Sequence, residues 1–101
     1  RDVAPSRGLG DVYKRQINSS KGSARFGDYC VIQSDVNVSA GVQGGNEIYI
    51  APGAKILENV QIADHVIVGA NAVVSKSIAE ANTSWGGVPA KKISDKGFTF
   101  N

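Results

Sequence analysis

A six-residue period runs through most of this chain, and it constrains the fold more than any other feature. Stepping by six from Phe26 gives Phe26, Ile32, Val38, Gly44, Ile50, Ile56, Ile62, Val68 and Val74, of which eight are large and apolar. The residues four further on are Cys30, Val36, Val42, Ile48, Ala54, Val60, Val66, Ala72 and Ile78, all small or aliphatic. The residue just after the first set is often small: Gly27, Ser39, Gly45, Ala51, Ala63, Gly69 and Ser75. A helix repeats every 3.6 residues and a simple strand every 2, and neither produces this pattern. Nine units in unbroken register are an internal repeat, which is read before anything else.

Each unit reads as a short strand and a corner, so that the chain winds into a coil with flat faces. The large residue of each unit points inward and stacks on its equivalent one coil away. The residue four on also lines the interior. The Gly, Ala or Ser after the large residue is expected to ease a tight turn. β-Branched residues suit such strands. Burying one Val or Ile contributes roughly 1.5–3 kcal/mol, so stacked columns can hold a thin solenoid together.

This pattern resembles that of the hexapeptide-repeat acyltransferases. The match covers about residues 24–95 and is strongest in "IYIAPGAKILENVQIADHVIVGANAVVSKSI" and "GGVPAKKI". Together these segments are most similar to the serine acetyltransferase branch and its relatives in polysaccharide gene clusters. The resemblance implies an all-β fold, a left-handed parallel β-helix with three hexapeptides per coil. Residues 26–43, 44–61 and 62–79 would form about three coils, and 80–101 a short C-terminal exit loop and tail. The handedness comes from the family, since parallel crossovers are otherwise right-handed. It also implies transfer of acetyl from acetyl-CoA to a hydroxyl, with L-serine, as in cysteine biosynthesis, the favoured acceptor. Two alternatives are a non-catalytic hexapeptide scaffold and a sugar O- or N-acetyltransferase.

The first sixteen residues share nothing with the repeat. "DVYKRQ", Asp11 to Gln16, can be encoded by GAT GTG TAT AAG AGA CAG, which resembles the transposase end used in sequencing libraries. Ser6 to Gly10 and Arg1-Asp2 fit the flanking adapter segments in the same frame. Residues 1–16 are therefore expected to be translated adapter, disordered and foreign to the gene, and are left out of fold reasoning. Residues 17–79 would be a β-helix fragment of a longer protein. Removing Arg1, Arg7, Lys14 and Arg15 together with Asp2 and Asp11 takes the formal charge from +2 to zero. An argument for nucleic acid or membrane from that charge has no basis.

The resemblance places a general-base histidine just upstream of Ile17, so no catalytic residue is assigned within the chain. For acetyl-CoA it points to small residues on consecutive coils, Ala51, Pro52 and Gly53, then Gly69 and Ala70. Only small side chains let a ligand approach the backbone closely. In "WGGVPAKKI", Gly87, Pro89 and Ala90 would fold over the coenzyme, and Lys91 or Lys92 would meet its phosphates, with Lys76 as a further cation. Ordinary corner residues account for the same small side chains. His65, the sole histidine, reads as a solvated turn residue, Asp28 and Asp64 as corner residues, and Asp35 as a residue at an outward position. Glu47, beside a glycine pair, is slightly more interesting. Trp85 reads as a cap on the last coil.

Cys30, the single cysteine, falls in an inward column and reads as a buried thiol, which fits a reducing, cytoplasmic setting. One histidine gives poor support for a metal site. No apolar run approaches the roughly 20 residues of a membrane span. The expected assembly is a homotrimer or a dimer of trimers acting on a small-molecule acceptor, with neither nucleic acid nor membrane as partner.

Overall fold

In the computed structural model, which describes residues 11–13, 17–18 and 24–99, the repeat units become strands of two or three residues separated by corners. The strands are β1 (Asp11–Tyr13), β2 (Ile17–Asn18), β3 (Arg25–Phe26), β4 (Cys30–Ile32), β5 (Asn37–Val38), β6 (Gln43–Gly44), β7 (Tyr49–Ile50), β8 (Lys55–Ile56), β9 (Gln61–Ile62), β10 (Ile67–Val68), β11 (Val73–Val74), β12 (Ser84–Gly86) and β13 (Lys91–Ser94). From β3 to β11 every third strand falls in the same sheet. Face 1 runs β1-β4-β7-β10-β12-β13, face 2 runs β11-β8-β5, and face 3 runs β2-β3-β6-β9. Within the coils the pairing is parallel, and partners such as Val31 and Tyr49, or Tyr49 and Ile67, stand one coil apart. The result is a left-handed parallel β-helix of about three turns.

The two columns read from the sequence are the core. Phe26, Ile32, Ile50, Ile56 and Val68 are fully buried, as are Cys30, Val42, Ile48, Ala54 and Val66. Val36 and Val38 are only half-buried, because β5 is the edge strand of face 2 and, among the described residues, no strand pairs on its outer side. Gly44 breaks the column of large residues for a packing reason. A side chain there would overlap the ring of Phe26, which fills the space of two layers.

The corners correct one expectation. The tight turn is not at the small residue that follows the inward one. It lies two positions later, where φ is positive in unit after unit: Tyr29, Asp35, Gly41, Glu47, Gly53, Asn59, His65 and Asn71, with φ between 54° and 78°. Gly, Asn and Asp tolerate that conformation best, and five of the eight are of those types. From Glu47 to Asn71 the N–H of each such residue turns back to the previous coil, as in Glu47 to the Asp28 carbonyl and His65 to the Asn46 carbonyl. The small residues serve a different need. Asn46 Oδ1 accepts from the Asp28 N–H at 2.8 Å, and Asp64 Oδ1 accepts from the Asn46 N–H at 2.7 Å. A Cβ at Gly27 or Gly45 would overlap those amide and carboxylate oxygens.

The last turn departs from the repeat. Ile78 counts into the second inward column, yet it bridges to Ile62 in the first. The corner at Ser75–Ser77 is two residues short. Face 1 continues past residue 79, since β12 pairs in parallel with β10 and puts Trp85 beside Val68. β13 then turns back antiparallel on β12. At the other end, Asp11–Tyr13 pairs antiparallel with β4, where the sequence predicted no structure. An open strand edge is a template for any nearby chain. The other residues of 1–16 lie outside those described. Among the described residues no helix is long and apolar enough to cross a membrane.

Candidate functional site

Ala51, Pro52, Gly53, Gly69 and Ala70 stack on one corner of the helix, between faces 1 and 2. The Ala51 N–H donates to the Val68 carbonyl, the Gly69 N–H to that of Trp85, and the Asn71 N–H to that of Pro52. Gly53 has a structural reason of its own. Its φ is +78°, and a Cβ would overlap the Asn71 amide. Gly69 is tight for another reason, with the Trp85 carbonyl oxygen 3.3 Å from where its Cβ would stand. Gly87 continues past this corner with φ +95°, and its carbonyl accepts from the Val73 N–H at 3.0 Å.

The shortened last turn leaves a cavity. It measures about 270 Å³ and is lined by Val74, Ser75, Lys76, Ser77, Ile78, Trp85, Pro89, Ala90 and Lys91. Four residues singled out in the sequence meet here: Lys76, Pro89, Ala90 and Lys91. Two stretches build it. The clipped corner Ser75–Ser77 forms one wall, and the turn between β12 and β13 forms the other. The Ala90 N–H ties that turn to the Val73 carbonyl at 2.8 Å. Val74, Ile78, Trp85 and Ala90 give an apolar lining, and Lys76 and Lys91 bring two cations. Apolar walls with a few charges suit a ligand that has an apolar body and an anionic group.

The structure separates Lys91 from Lys92. Lys92 pairs with Asp95 and, at 3.4 Å, with Glu80, and the Asp95 hydrogen bond raises its pKa. Ala51–Gly53 and Gly69–Ala70 are not part of the cavity lining; they form a separate stripe that runs toward it through Gly87. Trp85 caps the last coil, packing against the core, while its Nε1 donates to Thr83 Oγ1 at 2.8 Å. Thr83 is itself buried and donates to the Glu80 carbonyl.

The other candidates resolve differently. Asp28, Asn46 and Asp64 form the corner ladder described above, and Asp35 holds a positive-φ corner. His65 is more than a solvated turn residue. Its Nδ1 lies 2.9 Å from the Phe98 carbonyl oxygen and 4.0 Å from Glu47 Oε1. Cys30 is buried, with Sγ 3.5 Å from the carbonyl oxygens of Gly27 and Gly45, and burial pushes its thiol up to about 11. A thiol held neutral is a poor nucleophile. Among the described residues no three His, Cys, Asp or Glu side chains cluster as metal ligands would.

Sequence reasoning missed a groove of about 370 Å³ on face 3, flanked by Gln43, Gly45, Gln61, Ala63 and Ser77. The available signal was the run of polar residues just before the inward column, with Gln43 and Gln61 one coil apart. It also missed the contact of Phe98, which lies far outside the repeat.

A family model described as bacterial transferase hexapeptide (six repeats) matches residues 45–76. The serine acetyltransferase of Synechococcus elongatus is 34% identical over 79 residues, covering 70% of this chain and 32% of that protein. The solved maltose O-acetyltransferase of Clostridium difficile 630 superposes with a TM-score of 0.62 at 26% identity, covering 73% of this chain and 48% of that one. The chain thus spans about a third of the curated relative's length.

Proposed function

Because the chain belongs to the hexapeptide-repeat acyltransferases, we propose that it supplies the donor side of an O-acetyltransferase that moves acetyl from acetyl-CoA to a hydroxyl. The observation that carries this reading is the cavity at the clipped last turn. Two lysines, an indole and the Pro89–Lys91 turn converge there, beside the stripe of small corner residues. Lys76 and Lys91 would meet phosphate there, and Gly69, Ala70 and Ala51–Gly53 would let the long arm lie against backbone.

L-serine is the acceptor favoured by the serine acetyltransferase likeness. The likeness to a maltose O-acetyltransferase favours a sugar hydroxyl as the second reading. In either case the family likeness calls for a histidine as the general base on the acceptor hydroxyl. A homotrimer, or a dimer of trimers, would complete the donor groove between subunits.

Calorimetric titration with acetyl-CoA tests the reading. The expected result is saturable binding that weakens on the order of a hundredfold or more when Lys76 and Lys91 are both changed to Ala, since each charge-assisted phosphate contact is worth roughly 1.5–3 kcal/mol. Lys92→Ala should weaken it less, because that ammonium already has two carboxylate partners. No saturable binding to the assembled protein would favour a non-catalytic scaffold.

A further inference from the structure

The segment after β13 does not run free. It crosses to the corner between faces 3 and 1 and rests on His65. The Phe98 N–H donates to the His65 carbonyl at 3.2 Å, and the Phe98 carbonyl lies 2.9 Å from His65 Nδ1. A carbonyl oxygen only accepts, so Nδ1 carries the proton. One residue of the helix therefore satisfies both backbone polar groups of Phe98. The Phe98 ring meets Tyr49 on face 1, with centroids 5.5 Å apart and planes tilted by 42°. Tyr49 is itself held, its hydroxyl accepting from Gln33 Nε2 at 3.2 Å. Ser84 Oγ donates to the Lys96 carbonyl. Gly97 comes so close that a Cβ would overlap the His65 carbonyl oxygen and the Asn82 backbone. Only glycine passes there.

This contact is joined to the cavity by a single four-residue strand. β13 starts at Lys91, which lines the cavity, and ends at Ser94, two residues before the docked segment. The β12–β13 hairpin is thus pinned at both ends, by the Ala90–Val73 hydrogen bond at the cavity and by Phe98 on His65 at the far side.

We infer that Lys96–Phe98 is a latch whose docking on His65 and Tyr49 holds β13 against β12 and so holds the Pro89–Lys91 wall of the cavity in place. Gly97, Phe98 and His65 are positioning residues on this account. None of them lines the cavity. The latch stands on these contacts alone, and its effect on donor binding rests on the acetyl-CoA reading above.

Trp85 is the sole tryptophan and lines the cavity, so its emission reports the wall directly. Lys96 offers trypsin a bond inside the latch. Gly97→Ala, through the clash of its Cβ with the His65 carbonyl, and Phe98→Ala, through loss of the ring contact with Tyr49, are each expected to speed cleavage after Lys96 on the order of tenfold. Both should also raise acrylamide quenching of Trp85, by about twofold for a wall that opens locally. Thr99→Ala, at an exposed neighbour, should change neither, and Phe98→Tyr, which keeps the ring, should restore both to wild-type values. Faster cleavage after Lys96 with unchanged Trp85 quenching would overturn the inference, because the tail would then open without moving the wall. Unchanged cleavage in Gly97→Ala would overturn it as well. In an acetyl-CoA titration the two latch variants should bind several-fold more weakly than wild type. If wild type does not bind, the coenzyme reading fails, and the Trp85 measurement still decides the latch.

Discussion

The middle coil and the last turn are built from the same chemistry with opposite regularity. In the middle coil, residues 44–61, these inter-coil hydrogen bonds repeat without change: Gly45 to Ile62, Tyr49 to Val66 and Lys55 to Ala72 all join an N–H to the carbonyl seventeen residues on. In the last turn the same count slips, from Ala63 to Ile78, then Ile67 to Thr83, then Val73 to Gly87. In the regular coil the inward side chains Ile48, Ile50, Ala54 and Ile56 are fully buried. The slipped turn leaves a cavity with lysines at it. Strict repetition makes a scaffold, and the place where it fails is where a ligand can enter, because a repeat that stacks perfectly fills its own core.

The sharpest way to break this contrast is to remove one core side chain from each region. Ile56 is fully buried in the middle coil, and Ile56→Ala should lower unfolding stability by about 2–5 kcal/mol. Trp85 is half-buried beside a cavity that already exists, so Trp85→Ala should lower it by only about 1–2 kcal/mol, despite the larger side chain. Urea unfolding followed by far-ultraviolet circular dichroism measures both. Equal losses would mean that the last turn is as tightly packed as the coil.

A smaller effect tests the corners. Gly53 and Gly87 both have positive φ, but a Cβ at Gly53 would overlap the Asn71 amide, whereas at Gly87 the nearest atom is the Pro89 carbonyl oxygen at 3.6 Å. Gly53→Ala should cost about 2–4 kcal/mol, combining left-handed strain with overpacking. Gly87→Ala should cost about 1–2 kcal/mol, from strain alone. The same unfolding curves give both values.

These corners also mark what could be read from sequence. The period of six and both inward columns were legible because burial imposes the same demand at the same place in every unit. The corner was placed two residues early. Gly27, Gly45 and Gly69 draw the eye to the position after the inward residue, while the positive-φ position holds a mixture that includes Tyr29, Glu47 and His65. A backbone demand can be met by many residues when hydrogen bonds to the previous coil support it. The end of the repeat was visible near residue 79, but the two-residue deletion was not, since Ile78 satisfies the apolar pattern in either column. Lys76 and Lys91 were singled out by resemblance, and their meeting at one cavity follows from that deletion. The latch was invisible, because its partners are far apart in sequence and share no motif.

Cys30 extends the comparison to pH. Burial raises its thiol from the ordinary 9.0 to about 11. The folded chain therefore keeps a proton that the unfolded chain loses. This contribution is fully present below about pH 9 and is lost as pH rises toward 11, up to about 3 kcal/mol in all. Cys30→Ala should be less stable at pH 8, through lost packing, yet should show a shallower fall between pH 9 and 11. Unfolding free energies of both proteins across that range decide it, and parallel curves would mean that the thiol ionises as freely in the folded chain as in the unfolded one.

The smallest expected effect concerns the Asx ladder. Asn46 accepts from the Asp28 N–H, and its own N–H donates to Asp64. Asn46→Ala removes the first bond and leaves the second. The corner is exposed, so water replaces the lost acceptor, and the loss should be about 0.5–1.5 kcal/mol. Asn46→Asp keeps an acceptor but stacks three carboxylates in one column, Asp28, position 46 and Asp64. It should therefore lose stability at pH 7 and regain it toward pH 4, as the carboxylates take up protons. Asn46→Ala should show no such recovery. If the two variants respond alike to pH, the corner is held by backbone hydrogen bonds alone, and the regular coil depends on its side-chain ladder no more than the slipped turn does.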